Sequence, residues 1–313
     1  VAELSVVELC TGAGGQAIGL EQAGFEPVIC VENDVDACST LRANRPAWKI
    51  HEGDIRTFDG ARYRGVDLVA GGVPCQPFSV AGDQLGTADE RNLFPEALRI
   101  IGEAMPRAVM LENVKGIFGP RFDEFRASVL HVLEGLGYTT EWRIEQAACH
   151  GVPQLRPRAV LIATQDNWWT DPFRWPADVI AGTTAGLALY DLMKARDWPG
   201  AAHWALERCN KIAPTLVGGS KKHGGPDLGP TRAREAWAKL GVNGSSIAEE
   251  APGPVHPMDH TPRLTVAMGA RLQGFPDDWQ ITGGKTAQWR QVGNAFPPPV
   301  ARDLGAAIGR ALR

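Results

Sequence analysis

The sequence predicts an α/β protein in which a mixed, mostly parallel sheet is covered by helices on both faces, with a smaller second domain beside it. Three observations carry that expectation. Short β-branched and apolar runs alternate with helix-compatible stretches up to residue 136, the first run ends in a glycine turn that opens a helix, and beyond residue 166 the alternation stops.

Residues 5–10 form the first β-branched run, which leads into Thr11-Gly12-Ala13-Gly14-Gly15; residues 16–23 then read as a helix closed by Gly24. Strand, glycine turn and helix open nucleotide-binding units, although this run lacks the full dinucleotide pattern. Residues 27–31 are a second apolar segment ending at Glu32, about 20 residues after Gly12, where such folds place a carboxylate for ribose hydroxyls. Residues 66–70 and 108–111 are two further runs, which lead to Pro74-Cys75-Gln76 and to Glu112-Asn113. Open parallel sheets bind ligands at the carboxyl ends of their strands. Residues 93–103, with Pro95 in the first turn, read as a helix, and so do residues 122–136, with Phe122, Phe125, Val129, Val132, Leu133 and Leu136 at helical spacing. Residues 140–144 and 159–163 are strands joined by a glycine-proline loop with no helix between them. That break predicts an antiparallel addition at one end of the sheet.

The most informative stretch is Val73-Pro74-Cys75-Gln76-Pro77-Phe78-Ser79, which holds a thiol between two prolines just where a strand should stop. Proline fixes φ and removes a backbone donor, so the segment leaves the sheet as a stiff turn that sets the direction of the sulfur. A lone cysteine is more often a small core hydrophobe than a nucleophile, and the motifs around it decide the reading.

Those motifs run in one order along nearly the whole chain: Thr11-Gly12-Ala13-Gly14-Gly15, Glu32-Asn33-Asp34, Gly53-Asp54-Ile55, Pro74-Cys75-Gln76, Arg91-Asn92-Leu93-Phe94, Glu112-Asn113-Val114, Gln154-Leu155-Arg156-Pro157-Arg158, Arg271-Leu272-Gln273-Gly274-Phe275-Pro276 and Gln291-Val292-Gly293-Asn294-Ala295. In this set and order the chain resembles the DNA (cytosine-5)-methyltransferases of bacterial restriction-modification systems. The resemblance implies a Rossmann-like, S-adenosylmethionine-dependent fold carrying a target-recognition domain. It implies transfer of a methyl group to carbon 5 of a cytosine flipped out of a specific duplex DNA sequence, with S-adenosylhomocysteine as the second product. Flipping costs on the order of a few kcal/mol.

The chemistry explains the residue types. Carbon 5 of cytosine is too weak a nucleophile until another nucleophile adds at carbon 6, and a thiolate does this well. By resemblance that thiolate is Cys75, Glu112 is the carboxyl that protonates or hydrogen-bonds ring N3, Arg158 holds the carbonyl oxygen, and Arg156 is its electrostatic neighbour. Arg156 and Arg158 are two apart on the approach to a strand, a spacing that would let them share one face. For the cofactor the resemblance implies Gly12 and Gly14 at the backbone approach, Glu32 at the ribose, Asp54 and Ile55 at the adenine, and Pro74, Leu93, Asn294 and Ala295 at the methionine end. The first motif departs from the family's pattern: Cys10 stands where a phenylalanine faces the adenine, and Glu8 where an aspartate is usual. A lost aromatic contact would cost about 0.5–1.5 kcal/mol of cofactor affinity.

Residues 78–92 follow the nucleophile and lack apolar periodicity, which suits a lid over the flipped base with Ser79 and Arg91 at the DNA. Residues 1–165 and 262–313 are expected to form the catalytic domain and residues 166–261 the target-recognition domain. The latter stretch holds tryptophans 168, 169, 175, 198, 204 and 237, the glycine-flanked basic loop around Lys221 and Lys222, and Arg232 and Arg234 shortly after. Such residues can approach groove edges and phosphates, or can simply form a solvated loop.

Net charge is −4, so affinity for duplex DNA has to come from local basic clusters rather than from the whole surface. Six cysteines lie without paired spacing, which points to reduced thiols and a cytoplasmic, nucleoid-associated setting. No apolar run suits a membrane span or signal peptide. Gly283-Gly284-Lys285-Thr286 ends like a phosphate loop but has Trp279 where the first glycine belongs. His256 and His260 have metal-ligand spacing, yet Pro257 argues against a helix there, so no metal site is expected. A monomer and a cognate restriction endonuclease as cellular partner complete the expectation. An RNA-modifying relative with the same motifs and a catalytically inactive DNA-binding regulator are the competing readings.

Overall fold

A computed structural model describes residues 3–74, 92–165, 173–180, 183–220 and 224–313. They divide into two compact units, the first made of Val1–Glu145, Pro157–Pro176 and Val300–Arg313, the second of Gln146–Arg156 and Ala177–Pro299.

The first unit is built on seven strands: β1 (Leu4–Leu9), β2 (Phe25–Glu32), β3 (Ile50–Glu52), β4 (Leu68–Gly72), β5 (Ala108–Val114), β6 (Tyr138–Gln146) and β8 (Pro157–Gln165), in the order β3-β2-β1-β4-β5-β8-β6. β1 pairs in parallel with β2 and β4, β2 with β3, and β4 with β5, while β8 runs antiparallel to β5. The mostly parallel sheet and its antiparallel addition are therefore as the sequence implies. Strand bounds differ from expectation by one or two residues at most ends, which is the usual fraying of element limits.

Side-chain alternation sorts the two faces. Val7 and Leu9 of β1 enter a buried cluster with Val69, Val109, Leu111 and Leu161. α3 (Phe94–Ala104) adds Phe94, Ala97, Ile100, Ile101 and Ala104 to it, and α4 (Asp123–Gly135) adds Phe125, Val129 and Leu133. Pro95 sits in the first turn of α3, where its missing N–H costs nothing. α1 (Gly15–Gln22) and the chain-terminal helix α10 (Pro298–Leu312) meet where Gly305 leaves no room for a Cβ beside Leu20 and Ala23. α2 (Val35–Asn44) starts at Asp34, whose carboxylate accepts from the N–H groups of Asp36 and Ala37.

The second unit contains β7 (Gln154–Leu155), paired in parallel with β9 (Ala213–Pro214), and the helices α5 (Ala185–Lys194), α6 (Ala201–His203), α7 (Thr231–Ala238), α8 (Val266–Gln273) and α9 (Lys285–Asn294). Its core holds Trp204, Trp237 and Trp289 fully buried. Two of these indoles donate to backbone carbonyls, Trp204 to Gly241 and Trp289 to Val217 and Asp227; of the tryptophans noted in the sequence, Trp198, Trp204 and Trp237 serve this core. Division by compactness places residues 146–156 and 262–299 with the second unit, whereas the motif order puts them with the catalytic domain.

Glu8, next to last in β1, is fully buried and neither carboxylate oxygen has a hydrogen-bond partner. Burial pushes its carboxyl well above the ordinary 4.5. The folded chain thus keeps a proton that the unfolded chain releases near pH 4.5, so stability is full below that pH and falls as pH rises. Glu8→Gln should flatten this fall by at most about 1.4 kcal/mol per pH unit. Urea unfolding of both proteins between about pH 5 and about pH 8 measures it; parallel curves would show that Glu8 folds ionised.

Candidate active site and cofactor crevice

The sheet order reverses between β1 and β4, because β2 and β3 extend to one side and β5 to the other. Crevices form at the carboxyl ends of strands at such a point. The turn after β1 carries three left-handed residues, Cys10 at φ 53°, Gly12 at 56° and Gly14 at 88°. This turn brings backbone N–H groups to the crevice, and no atom lies within 4 Å of where a Cβ on Gly12 would be.

Glu32 ends β2 beside this turn. One of its oxygens accepts from Gly12 N at 2.7 Å and the other from Asn33 N and Asp34 N, both at 2.8 Å. Burial raises its carboxyl, and the three N–H groups act against that shift. Oε2, which accepts only from Gly12 N, keeps a lone pair for a further donor. Asp54 follows β3 and caps the turn Ile55–Thr57, accepting from Arg56 N at 2.9 Å and pairing with the Arg56 guanidinium at 2.8 Å. Its carboxyl is lowered, chiefly by the Arg56 N–H. Ile55 is buried in the first core, and Leu93 and Cys10 pack partly buried against it. Burial first, then Glu32, Glu8 and Asp54, push the Cys10 thiol far up, so Cys10 stays a neutral thiol.

At the other side of the crevice, Glu112 near the end of β5 meets Arg158 near the start of β8, Nε to Oε1 at 2.7 Å, with both side chains only 11% exposed. The antiparallel register makes this pair, since Val114 lies opposite Arg158 and Glu112 opposite Val160. Asn113, next to Glu112, donates from its buried amide to the carbonyl of Val73 at 3.1 Å. That bond pins the end of β4 immediately ahead of Pro74, which is half-buried. The sequence showed Asn113 only as part of a motif; its task depends on a contact 40 residues away. Cys75, Ser79, Arg91, Lys221 and Lys222, and the expected lid, lie outside the described residues.

Arg156 lies on the approach to β8, and its buried side chain donates to the carbonyls of Leu216 at 2.9 Å, Gly293 at 2.8 Å and Ala295 at 2.9 Å. Beside it Gln154 donates to Leu272 O and to Gln273 Oε1 and accepts from Leu216 N, while Gln273 donates to Val292 O. Three sequence motifs thus meet in one buried polar cluster of the second unit. Asn294 belongs to the same unit and donates to Gly219 O at 3.1 Å. Arg234 is engaged with Asp227 at 3.0 Å and with Gly229 O at 2.7 Å, whereas Arg232 is exposed in the first turn of α7. Lys285 pairs with Glu249 at the start of α9, in place of a phosphate loop. The rings of His256 and His260 lie 4.6 Å apart, tilted by 53°. Among the described residues no three His, Cys, Asp or Glu side chains could hold a metal ion, and no helix is long and apolar enough to cross a membrane.

The family of C-5 cytosine-specific DNA methylases matches residues 4–310. The chain belongs to that family. It is 51% identical over 313 residues to the Type II methyltransferase M.NaeI of Lentzea aerocolonigenes, covering 99% of this chain and 75% of that protein. It is 47% identical over 315 residues to the Type II methyltransferase M.NgoMIV of Neisseria gonorrhoeae, covering 99% of each. In fold it is similar to a putative DNA modification methyltransferase encoded within a prophage (E. coli), with a TM-score of 0.69 at 23% identity and 99% of each chain covered. A DNMT2 structure from Spodoptera frugiperda gives 0.69 at 17% identity, covering 98% of this chain and 100% of that one.

This methylase is therefore an enzyme that binds DNA and methylates carbon 5 of cytosine with S-adenosylmethionine. The residues at the crevice fit that cofactor: an open glycine turn suits close backbone approach, and a buried carboxylate held in place by three N–H groups suits a ribose diol. The buried arginine offers a stability test. Arg156→Met, close in volume, leaves the buried carbonyls of Leu216 and Gly293 without this donor and should destabilise the methylase by about 3 kcal/mol in urea unfolding. A loss below about 1 kcal/mol would mean that water replaces the guanidinium.

Proposed function

We propose that this methylase acts on one cytosine within a specific duplex sequence, turned out of the helix, through a transient bond between the Cys75 sulfur and carbon 6 of the ring. The observation that carries this reading is the Glu112–Arg158 pair, held at the end of β5 beside the strand end that Asn113 fixes just before Pro74-Cys75. When thiolate adds at carbon 6, the ring's electron pair moves toward N3 and carbon 5. Glu112 supplies a proton or hydrogen bond at N3, and Arg158 orients Glu112 and faces the carbonyl oxygen. Carbon 5, made nucleophilic by that addition, forms its new bond to the methyl carbon, and its proton then passes to solvent as the carbon 6–sulfur bond breaks, which restores the free thiolate and the aromatic ring. When bound, S-adenosylmethionine supplies an electrophilic methyl on sulfur. Glu32 holds its ribose, Gly12 and Gly14 give the backbone approach, Asp54 and Ile55 meet its adenine, and Pro74, Leu93, Asn294 and Ala295 meet the methionine end. Arg156 enters as a positioning residue, through the carbonyls of Gly293 and Ala295.

The test is covalent trapping. Duplex DNA carrying 5-fluorocytosine at the target position cannot lose fluorine as a cation, so the adduct should persist in the presence of S-adenosylmethionine and map to Cys75 by mass spectrometry. Cys75→Ala should bind DNA and form none. Methylation by Cys75→Ala, or an adduct on another cysteine, would overturn the mechanism.

Residues 166–261 serve as the target-recognition domain in this reading. Lys221 and Lys222 lie between glycines in the sequence, Arg232 is exposed at the start of α7, and Arg234 is engaged with Asp227 and Gly229. Two relatives bear the name Type II methyltransferase, which supports a cognate restriction endonuclease of the same sequence specificity, with the methylase itself acting as a monomer. Lys221→Ala and Lys222→Ala should weaken binding on all sequences and lower the salt slope by roughly one each, whereas loss of a base contact at Arg232 should cost about 1–3 kcal/mol at one base pair. Binding isotherms on target and scrambled duplexes across salt separate the two effects. Unchanged binding in all three variants would remove this loop from the DNA interface.

A further inference from the structure

Gln16 stands in the first turn of α1, among Ala17, Ile18 and Leu20, and is itself only 4% exposed. Its Nε2 is buried without a hydrogen-bond partner. Its Oε1 lies 4.0 Å from the point where a side chain on Gly72 would begin, and Glu112 Oε2 lies 3.3 Å from the same point. An amide and a carboxylate therefore border a notch that exists because residue 72, at the end of β4, has no side chain. An apolar residue would pack at position 16 without burying an unpaired donor, so the amide carries a desolvation cost that folding alone does not repay.

Strand order says which part of the ligand reaches the notch; this step rests on the cofactor placement proposed above. Adenine lies at β3 by Asp54 and Ile55, and ribose at β2 by Glu32. The cofactor's remaining portion then continues across β1 to β4, with the target ring beyond it at β5 by Glu112. That portion ends in a zwitterionic α-amino acid, with an ammonium donor and a carboxylate acceptor on one carbon. A carboxamide presents the complementary pair, oxygen and N–H, at similar spacing. The helix start beside it favours the anionic partner. We propose that Gln16 reads the amino-acid end of the cofactor beside the residues already placed there, its Oε1 accepting from the ammonium and its Nε2 donating to the carboxylate. Gly72 keeps the space for this contact open.

The experiment compares two ligands by calorimetry in the absence of DNA: S-adenosylhomocysteine, which carries the amino-acid end, and 5′-methylthioadenosine, which lacks it. In the unaltered protein the first should bind more tightly. Gln16→Leu and Gln16→Met should each shrink that preference about tenfold, by weakening S-adenosylhomocysteine and leaving methylthioadenosine within about twofold. Gly72→Ala, which fills the notch and leaves the amide in place, should shrink it too. Melting curves confirm folding of each variant. An unchanged preference in the Gln16 variants, or equal weakening of both ligands, would overturn the proposal. Glu32→Gln tests the placement separately, because both ligands carry the ribose: it should weaken both alike, and if it weakens neither, the placement fails irrespective of Gln16.

Discussion

β1 acquires its neighbours on one side and β4 on the other, so the carboxyl ends of these two strands border the place where no connection crosses the sheet. The chain must leave both strands here without filling the opening. After β1 it does so through a left-handed turn at Cys10, Gly12 and Gly14, and at β4 through two glycines and a proline. Gly71 has no room for a Cβ, since one would sit 2.8 Å from Leu9 O, so the close spacing of β1 and β4 depends on its absence. Gly72 serves the opposite need and leaves a space. Within the first unit, the places of Asp54 after β3, Glu32 at the end of β2 and Glu112 at the end of β5 on either side of the opening follow from this strand order.

Much of the first unit was legible in the sequence because its signals are local. A β-branched run, a glycine turn and an apolar helical period each declare themselves within about ten residues. The Glu112–Arg158 pair was foreshadowed by resemblance, and the antiparallel register supplies its geometry. Arg156 was not legible in the same way. Its two-residue spacing from Arg158 suggested a shared face, but the strand begins at Pro157, and the carbonyls that hold its guanidinium come from positions 60 to 139 residues further along the chain. Such contacts leave no mark on local sequence. Gln16 illustrates the same limit, because a glutamine in a first helical turn looks solvent-facing until β4 is seen beside it.

The domain boundary was hard to read for a related reason. Gln154, Arg156, Gln273 and the stretch from Val292 to Ala295 belong to motifs that resemblance assigns to catalysis, yet their side chains and carbonyls satisfy one another inside the second unit. A buried charge is tolerated when every direction of its fork finds an acceptor, and three carbonyls meet most of that demand here. Retention of these residue types thus has a structural cause beside any catalytic one.

Three glutamates of the first unit show how the environment, rather than residue type, assigns chemistry. Glu8 meets no donor, and burial alone pushes its carboxyl well above the ordinary range. Glu32 is almost as buried, but three backbone N–H groups converge on it and oppose the effect of burial, which leaves a firmly oriented acceptor. Glu112 has the Arg158 guanidinium 2.7 Å from Oε1, and its Oε2 lies 3.3 Å from where a Cβ on Gly72 would stand. The ion pair fixes the carboxyl's place at the end of β5 rather than changing its chemical type. In the proposed mechanism that fixed place is what sets a carboxyl against a ring nitrogen.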